Sequence, residues 1–229
     1  MAQSEFDGAL APTDRRVLSD DVTAQLRDAI VTGVLVGGTR LREDDLAASM
    51  NVSRGPIREA LVRLERESLV IIERYKGARV AELYRDDLDQ IFSLRKALES
   101  LAAEWACKRA TPEDIKKLSA PLDAFLAAPI EDHTPEFVSK LDIEFHDALI
   151  ASAHHARLER AWDGLRAQVY SFLSTRMALR LDYAEVWEPD HRRHVKLIEK
   201  GDVAGAVAHT IQHLESSYAR VVLAMERGE

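Results

Sequence analysis

A single cysteine, Cys107, stands in 229 residues. One thiol cannot build an intramolecular disulfide framework, which excludes the stapled secreted scaffolds and suits a reducing compartment. Cys107 falls inside a helical pattern, where the role of a small buried hydrophobe is expected. Long apolar runs are missing too. No window approaches the roughly 18 uncharged residues that a membrane-spanning helix needs, and the first residues lack the apolar core of a signal peptide. The expected location is the cytoplasm. Glycine and proline are sparse, at 10 and 7 residues, and 46% of the chain is apolar, so disorder is expected only at the ends. Nor is there an excess of positive charge: 31 Lys and Arg face 39 Asp and Glu, a net −8. That balance argues against nucleic-acid binding by bulk charge and leaves open binding by a local module. Between Arg40 and Arg79 nine Lys and Arg face seven Asp and Glu, so this stretch carries +2 and the remainder −10. A mildly basic module on an acidic body fits a specific binder that works in two copies.

That module is centred on Asn51 to Leu64. Ser53 reads as a helix N-cap whose hydroxyl can accept from a backbone N–H, and Pro56 falls in the first turn, where its missing N–H costs nothing. Ile57, Leu61 and Leu64 form one apolar face, and Arg54, Arg58 and Arg63 lie mostly off it. Arginines on the wet side of an amphipathic helix are ordinarily a solvated face, so the helix alone leaves both readings open. Its neighbours favour a recognition helix, which buries one side and presents arginines near its N-terminus to the DNA major groove. Upstream, Leu41 to Met50 reads as a short helix with Leu46 and Met50 inward, joined by Asn51-Val52, which makes a helix-turn-helix. Downstream, Leu69 to Ile72 and Ala78 to Ala81 read as a hairpin, a wing with Lys76-Gly77 near its tip. A first helix is expected from Ser19 to Thr32, on an inner stripe of Val22, Leu26 and Ile30, ended by Gly33. Residues 1–18 are expected to be a flexible arm, 19–83 the DNA-binding domain, and 84–229 an all-helical domain.

The fold class expected is mainly α: a winged helix-turn-helix followed by an antiparallel helical bundle. Asp86 to Ala110 is a long helix with Leu88, Ile91, Leu94, Leu98 and Leu101 along one side. Thr111-Pro112-Glu113-Asp114 and Thr134-Pro135-Glu136 are N-terminal signatures that open the next two helices. Others run from about Ala156 to Met177, Glu185 to Lys200 and Val203 to Glu226, and no strand pattern follows residue 82. Within the bundle, Asp142 and His146 sit at i, i+4 on a face that also carries Leu141, Phe145 and Leu149. His191 and His213 lie 22 residues apart on two successive helices and come level if these are antiparallel. One carboxylate and three imidazoles converging in a bundle make a divalent-metal site. Spacing leaves the choice open, because His194 is one turn from His191, His209 one turn from His213, and a buried histidine is often only a satisfied core residue.

Together these stretches resemble the GntR family of bacterial regulators, in particular its FCD (FadR C-terminal ligand-binding) subgroup. The likeness rests on Leu26 to Gly33, Gly38 to Ala47 and Val52 to Leu61 in the first half. In the second it rests on Leu94 to Glu99, on Asp142, Phe145 and His146, and on His191 and His213, each 11 residues from Asp202. The family's usual threonine is replaced by Gly55, which removes a possible hydroxyl contact. The resemblance implies a homodimeric, cytoplasmic transcription regulator, usually a repressor, released from operator DNA by a small organic acid. DNA contacts would come from Arg42, Ser53, Arg54, Gly55, Arg58, Lys76 and Gly77. The family's register puts its metal ligands on Asp142, His146, His191 and His213, with zinc expected first and nickel or manganese as alternatives. Arg95 is a candidate contact for the effector carboxylate, or else simply the partner of Glu99. The shorter, six-helix form of the subgroup fits the length of the second half. The rival readings are a metal-dependent enzyme, since such a site can activate water, and a direct metal sensor.

Overall fold

A computed structural model of the protein describes residues 15–82, 85–178 and 183–227. The first helix, α1, spans Arg15–Val31 and so begins four residues before the expected start; residues 1–14 of the expected arm lie outside the described residues. Val22, Leu26 and Ile30 are buried along it, and Gly33 ends it with φ +78°, a backbone state that glycine adopts without strain. Next come β1, Arg40–Leu41, and α2, Glu43–Ser49. The helix expected from Leu41 therefore starts later, with Arg42 as its N-cap residue. Leu41 is instead drawn into a strand, where it lies opposite Ala78. Two residues are too few to show alternation, so β1 could not be read from sequence. Asn51, at φ 51°, makes the turn into α3, Arg54–Arg66, which buries Pro56, Ile57, Ala60, Leu61 and Leu64. The wing follows as β2, Val70–Glu73, and β3, Gly77–Val80, and the antiparallel sheet runs β1-β3-β2. Ile57 and Leu64 are fully buried between α1 and the sheet, beside Val70 and Val80.

The second part holds seven α-helices among the described residues: α4 (Arg85–Arg109), α5 (Pro112–Ala127), α6 (Pro135–Ser152), α7 (Ala156–Asp163), α8 (Arg166–Ala178), α9 (Tyr183–Glu199) and α10 (Val203–Arg227). Thr111 and Asp114 form the expected capping box on α5, and Thr134 caps α6 by accepting from Phe137 N. The helix expected from Ala156 to Met177 is broken in two at Gly164, so the six-helix count does not hold. The inward face of α4 also differs from expectation. Leu88 and Ile91 are buried, but Leu94 and Leu101 are exposed, and Arg95, Glu99, Ala102, Ala103 and Ala106 take the interior. Small alanines there let α10 pack closely along α4. Helix α6 runs through the middle of the bundle, against α4, α5 and α8, with Phe145 and Leu149 fully buried. Cys107 is part-buried on α4, and burial raises its thiol pKa, as for an inert packing residue.

Candidate DNA-reading surface and candidate metal centre

Helix α3 presents its arginines on the side away from the core. Ser53 has the extended backbone of an N-cap (φ −75°, ψ 165°), but its hydroxyl makes no capping hydrogen bond, contrary to the expectation from sequence. Arg54 and Arg58 are held by acids from the first turn of α2. Arg58 Nε donates to Glu43 Oε2 at 2.6 Å, and Arg54 Nε lies 2.5 Å from Asp44 Oδ1. Arg42 sits 3.6 Å from Asp45, and Arg63 pairs with Asp20 of α1. Gly55 has open space: an added Cβ would meet only Ser53 Oγ, at 3.9 Å. At the wing, Lys76 bonds Glu73 at 2.9 Å and Gly77 turns the chain at φ +87°. Tyr75, not singled out from sequence, is the most exposed large hydrophobic side chain of the wing, at 91%, with Arg74 4.9 Å over its ring. Its signal was an aromatic two residues before the turn glycine.

Four helices converge on the second site. Asp142 and His146 come from α6, His191 from α9, His213 from α10, and Arg95 with Glu99 from α4. His146, His191 and His213 each offer a ring nitrogen, and these atoms lie within 4.8 Å of one another. Each outer nitrogen meets an oxygen. His146 Nδ1 is 2.7 Å from Glu99 Oε2, at contact distance though not aligned as a hydrogen bond; His191 Nδ1 is 2.7 Å from the Trp187 carbonyl; His213 Nδ1 is 2.5 Å from Asp190 Oδ2. An oxygen at Nδ1 calls for the proton there, which turns the Nε2 lone pairs toward one another. Nε2 of His191 and of His213 is buried without a hydrogen-bond partner. Asp142 Oδ1 accepts from Trp187 Nε1 at 2.5 Å and stands 3.0 Å from His191 Nε2, so two acceptors face each other. A cation between them would relieve that opposition, and the donor set suits one. Electrostatics agree. Burial, and after it the nearby His191 and His146, lower the pKa of His213 to about 3 against the pull of Asp190. Burial lowers His146 as well, with Arg95 adding to it. Burial works against ionising Glu99, yet Arg95 and His146 hold its carboxyl at about 2.

His194 and His209, the alternatives left by spacing, are also buried but turn elsewhere. His194 Nε2 meets the Thr210 hydroxyl at 3.1 Å, and His209 Nε2 meets the Asp190 carbonyl at 3.0 Å. Of the two descriptions expected for Arg95, the partner of Glu99 is what the structure shows, and in addition Arg95 places Nη2 2.6 Å from His146 Nε2.

The model of the bacterial regulatory proteins of the gntR family matches residues 18–80, and that of the FCD domain matches residues 90–216. The chain belongs to the GntR family, with an FCD domain as its second part. This regulator is 29% identical over 205 residues to the gluconate operon transcriptional repressor of Bacillus subtilis strain 168, covering 87% of this chain and 83% of that one. It is 31% identical over 186 residues to the protein of the same description in Bacillus licheniformis, covering 79% and 75%. Among solved structures, E. coli McbR/YncC superposes with a TM-score of 0.77 over 93% of this chain and 99% of that one, at 21% identity, a likeness of fold. This GntR-family protein is a DNA-binding transcriptional regulator, and both family and relatives indicate regulation rather than catalysis. No helix among its described residues is long and apolar enough to cross a membrane.

Beside the histidines the regulator opens a groove of about 410 Å³ between α9 and α10. Trp187 and His213 reach it from the site, and Arg193 and Arg220 line it. Neither arginine was singled out from sequence. The available signal was that Arg220 follows His213 by two helical turns, on the same face.

Proposed function

We propose that this regulator represses transcription as a homodimer on a pseudo-palindromic operator, and that a small organic acid bound beside a divalent ion releases it. The observation that carries this reading is the buried trio His146, His191 and His213, with two inward lone pairs unsatisfied, in a chain that also carries a winged helix-turn-helix. His146, His191, His213 and Asp142 would hold the ion, zinc first by the imidazole-rich donor set. The ion would supply a fixed positive charge for a carboxylate. Arg95 would give up His146 Nε2, remain on Glu99 and turn its other edge to the acid. Arg193 and Arg220 supply charge for a polar tail in the groove. Two relatives are named as repressors of a gluconate operon, and gluconate is a small polar acid of the kind that such a groove suits. On the DNA side, Arg54 and Arg58 would read bases, with Arg42, Ser53 and Gly55 at the phosphates and Lys76 and Gly77 at the adjacent backbone. One bidentate arginine–guanine pair gives roughly 1–3 kcal/mol of discrimination, so one module is too little and two copies are required.

The test pairs metal analysis with binding on one preparation. A duplex selected from a random library by the wild-type protein serves as operator. Arg58→Ala should lose operator binding while melting temperature and metal content stay unchanged; normal operator affinity in this variant would refute the DNA assignment. His191→Ala should lose the ion and the thermal shift with small acids while keeping operator binding, and unaltered metal content would refute the sensing assignment.

A further inference from the structure

The three acids that open α2, Glu43, Asp44 and Asp45, stand among the arginines that face DNA, where their charge opposes binding to phosphate. Two of them do not behave alike. Asp44 and Arg54 are 58% and 61% exposed, a loose surface pair that water screens. Glu43 is half as exposed as its partner, at 34% against 62%, and accepts from one atom of Arg58, Nε. A guanidinium gripped at Nε loses rotation about its long stem yet keeps both terminal Nη groups, and those form the fork that matches the O6 and N7 edge of guanine. Among the described residues Arg58 has no other ion pair. We infer that Glu43 is a positioning residue for sequence reading: the Glu43 carboxylate on α2 fixes the fork of Arg58 on α3, trading affinity for all DNA against preference for one sequence. This rests on the reading of Arg58 as a base contact.

Positioning and simple charge opposition differ in outcome. Glutamine at this place still accepts from Nε but carries no charge; alanine does neither. Binding is measured for the selected duplex and for a scrambled duplex of equal length, across a salt series. Glu43→Gln should tighten both duplexes together and keep most of the preference for the selected one. Glu43→Ala should tighten or leave unchanged the scrambled duplex and lower the selected-to-scrambled ratio by about tenfold. Asp44→Ala should move both duplexes equally and leave the ratio alone. An unchanged ratio in Glu43→Ala, or identical behaviour of the alanine and glutamine variants, overturns the inference. Arg58→Lys keeps the charge but removes Nε, so Glu43→Ala added to it should cost no further preference; additive losses would also overturn it. This arm reads the coupling even if the single alanine variant melts early. If Arg58→Ala itself keeps the preference, the base-contact reading fails instead, and the two failures are distinct.

Discussion

His213 is buried on three sides by other rings and charges, and its neighbours decide its protonation. His146 and His191 stand at ring-centroid distances of 5.6 and 4.7 Å, and Asp190 holds Nδ1. Burial and these imidazoles favour the neutral ring, as they do for His194, whose pKa falls well below 6.5 through burial, then His209 and His213. An unfolded chain has no such constraint and protonates each histidine near pH 6.5. Below that pH the unfolded state binds more protons than the native one, so stability falls as pH falls, by up to about 1.4 kcal/mol per pH unit for each ring kept neutral. The Glu99 and Asp190 carboxyls, each held at about 2, add a further loss from their ordinary range near pH 4 down to 2. Chelator-treated protein should therefore show a urea midpoint that falls from about pH 6.5 downward, and a flat midpoint would contradict neutral burial. At this scale the sequence reached Asp142 and His146, because i, i+4 spacing makes neighbours without help from the fold. It could not choose between His191 and His194 or between His209 and His213. All four are buried one turn apart, and only the direction of each ring separates them.

Helix α4 shows where periodicity stops being a guide. Its leucines recur as an inner stripe should, yet Leu94 and Leu101 are 48% and 36% exposed. A buried Arg95–Glu99 pair and three alanines rotate the inward face by part of a turn, and the pair is stable there because each charge meets the other and His146. Counting apolar residues cannot detect a buried ion pair. The break between α7 and α8 was hidden for a related reason: one glycine in a helical pattern is normally tolerated, and here the chain turns at Gly164 because the Leu165 amide bonds the Trp162 carbonyl. By contrast, the capping signals of α5 and α6, the wing and the core face of α3 were legible, since each depends on local chemistry. The exposed leucines carry a prediction. Two exposed apolar side chains seven residues apart on an otherwise packed helix would suit the interface of the proposed dimer. Introducing Leu94→Glu and Leu101→Glu together should give a monomer by light scattering, with helix content retained and operator affinity reduced by tenfold or more, on the order expected when two linked half-site contacts become one. A double variant that stays dimeric would place the interface elsewhere.

Across the whole molecule, the proposed release from operator requires that an event at the histidines reach α3. Helix α6 carries His146 toward the site, and the next residue, Asp147, points the other way. Its carboxylate accepts from Trp162 Nε1 at 2.7 Å and from Arg166 Nε at 2.7 and 2.9 Å, with Arg166 Nη2 at 2.6 Å. Trp162 lies in α7 and Arg166 opens α8, so one side chain grips both sides of the break. One residue further on, Ala167 is buried in the core of the winged domain, and Tyr170 packs against both cores. A displacement of α6 would thus pass to α8 and from there to α1, on which α3 rests. Couplings of this kind are typically 1–3 kcal/mol, or about 5- to 150-fold in affinity. Asp147→Ala should keep its metal content and bind operator within about threefold of wild type, because neither surface is touched. The ratio of operator affinity without and with ion plus the most stabilising acid should collapse toward one, consistent with a cut coupling of that size. Stability should fall by about 1–3 kcal/mol, the usual loss for a charged hydrogen-bonded partner, so Arg166→Met, which removes the same grip from the other side, serves as a second arm. If both variants respond to the acid like the wild type, the signal takes another path, and the contact of α4 with α10 becomes the route to test.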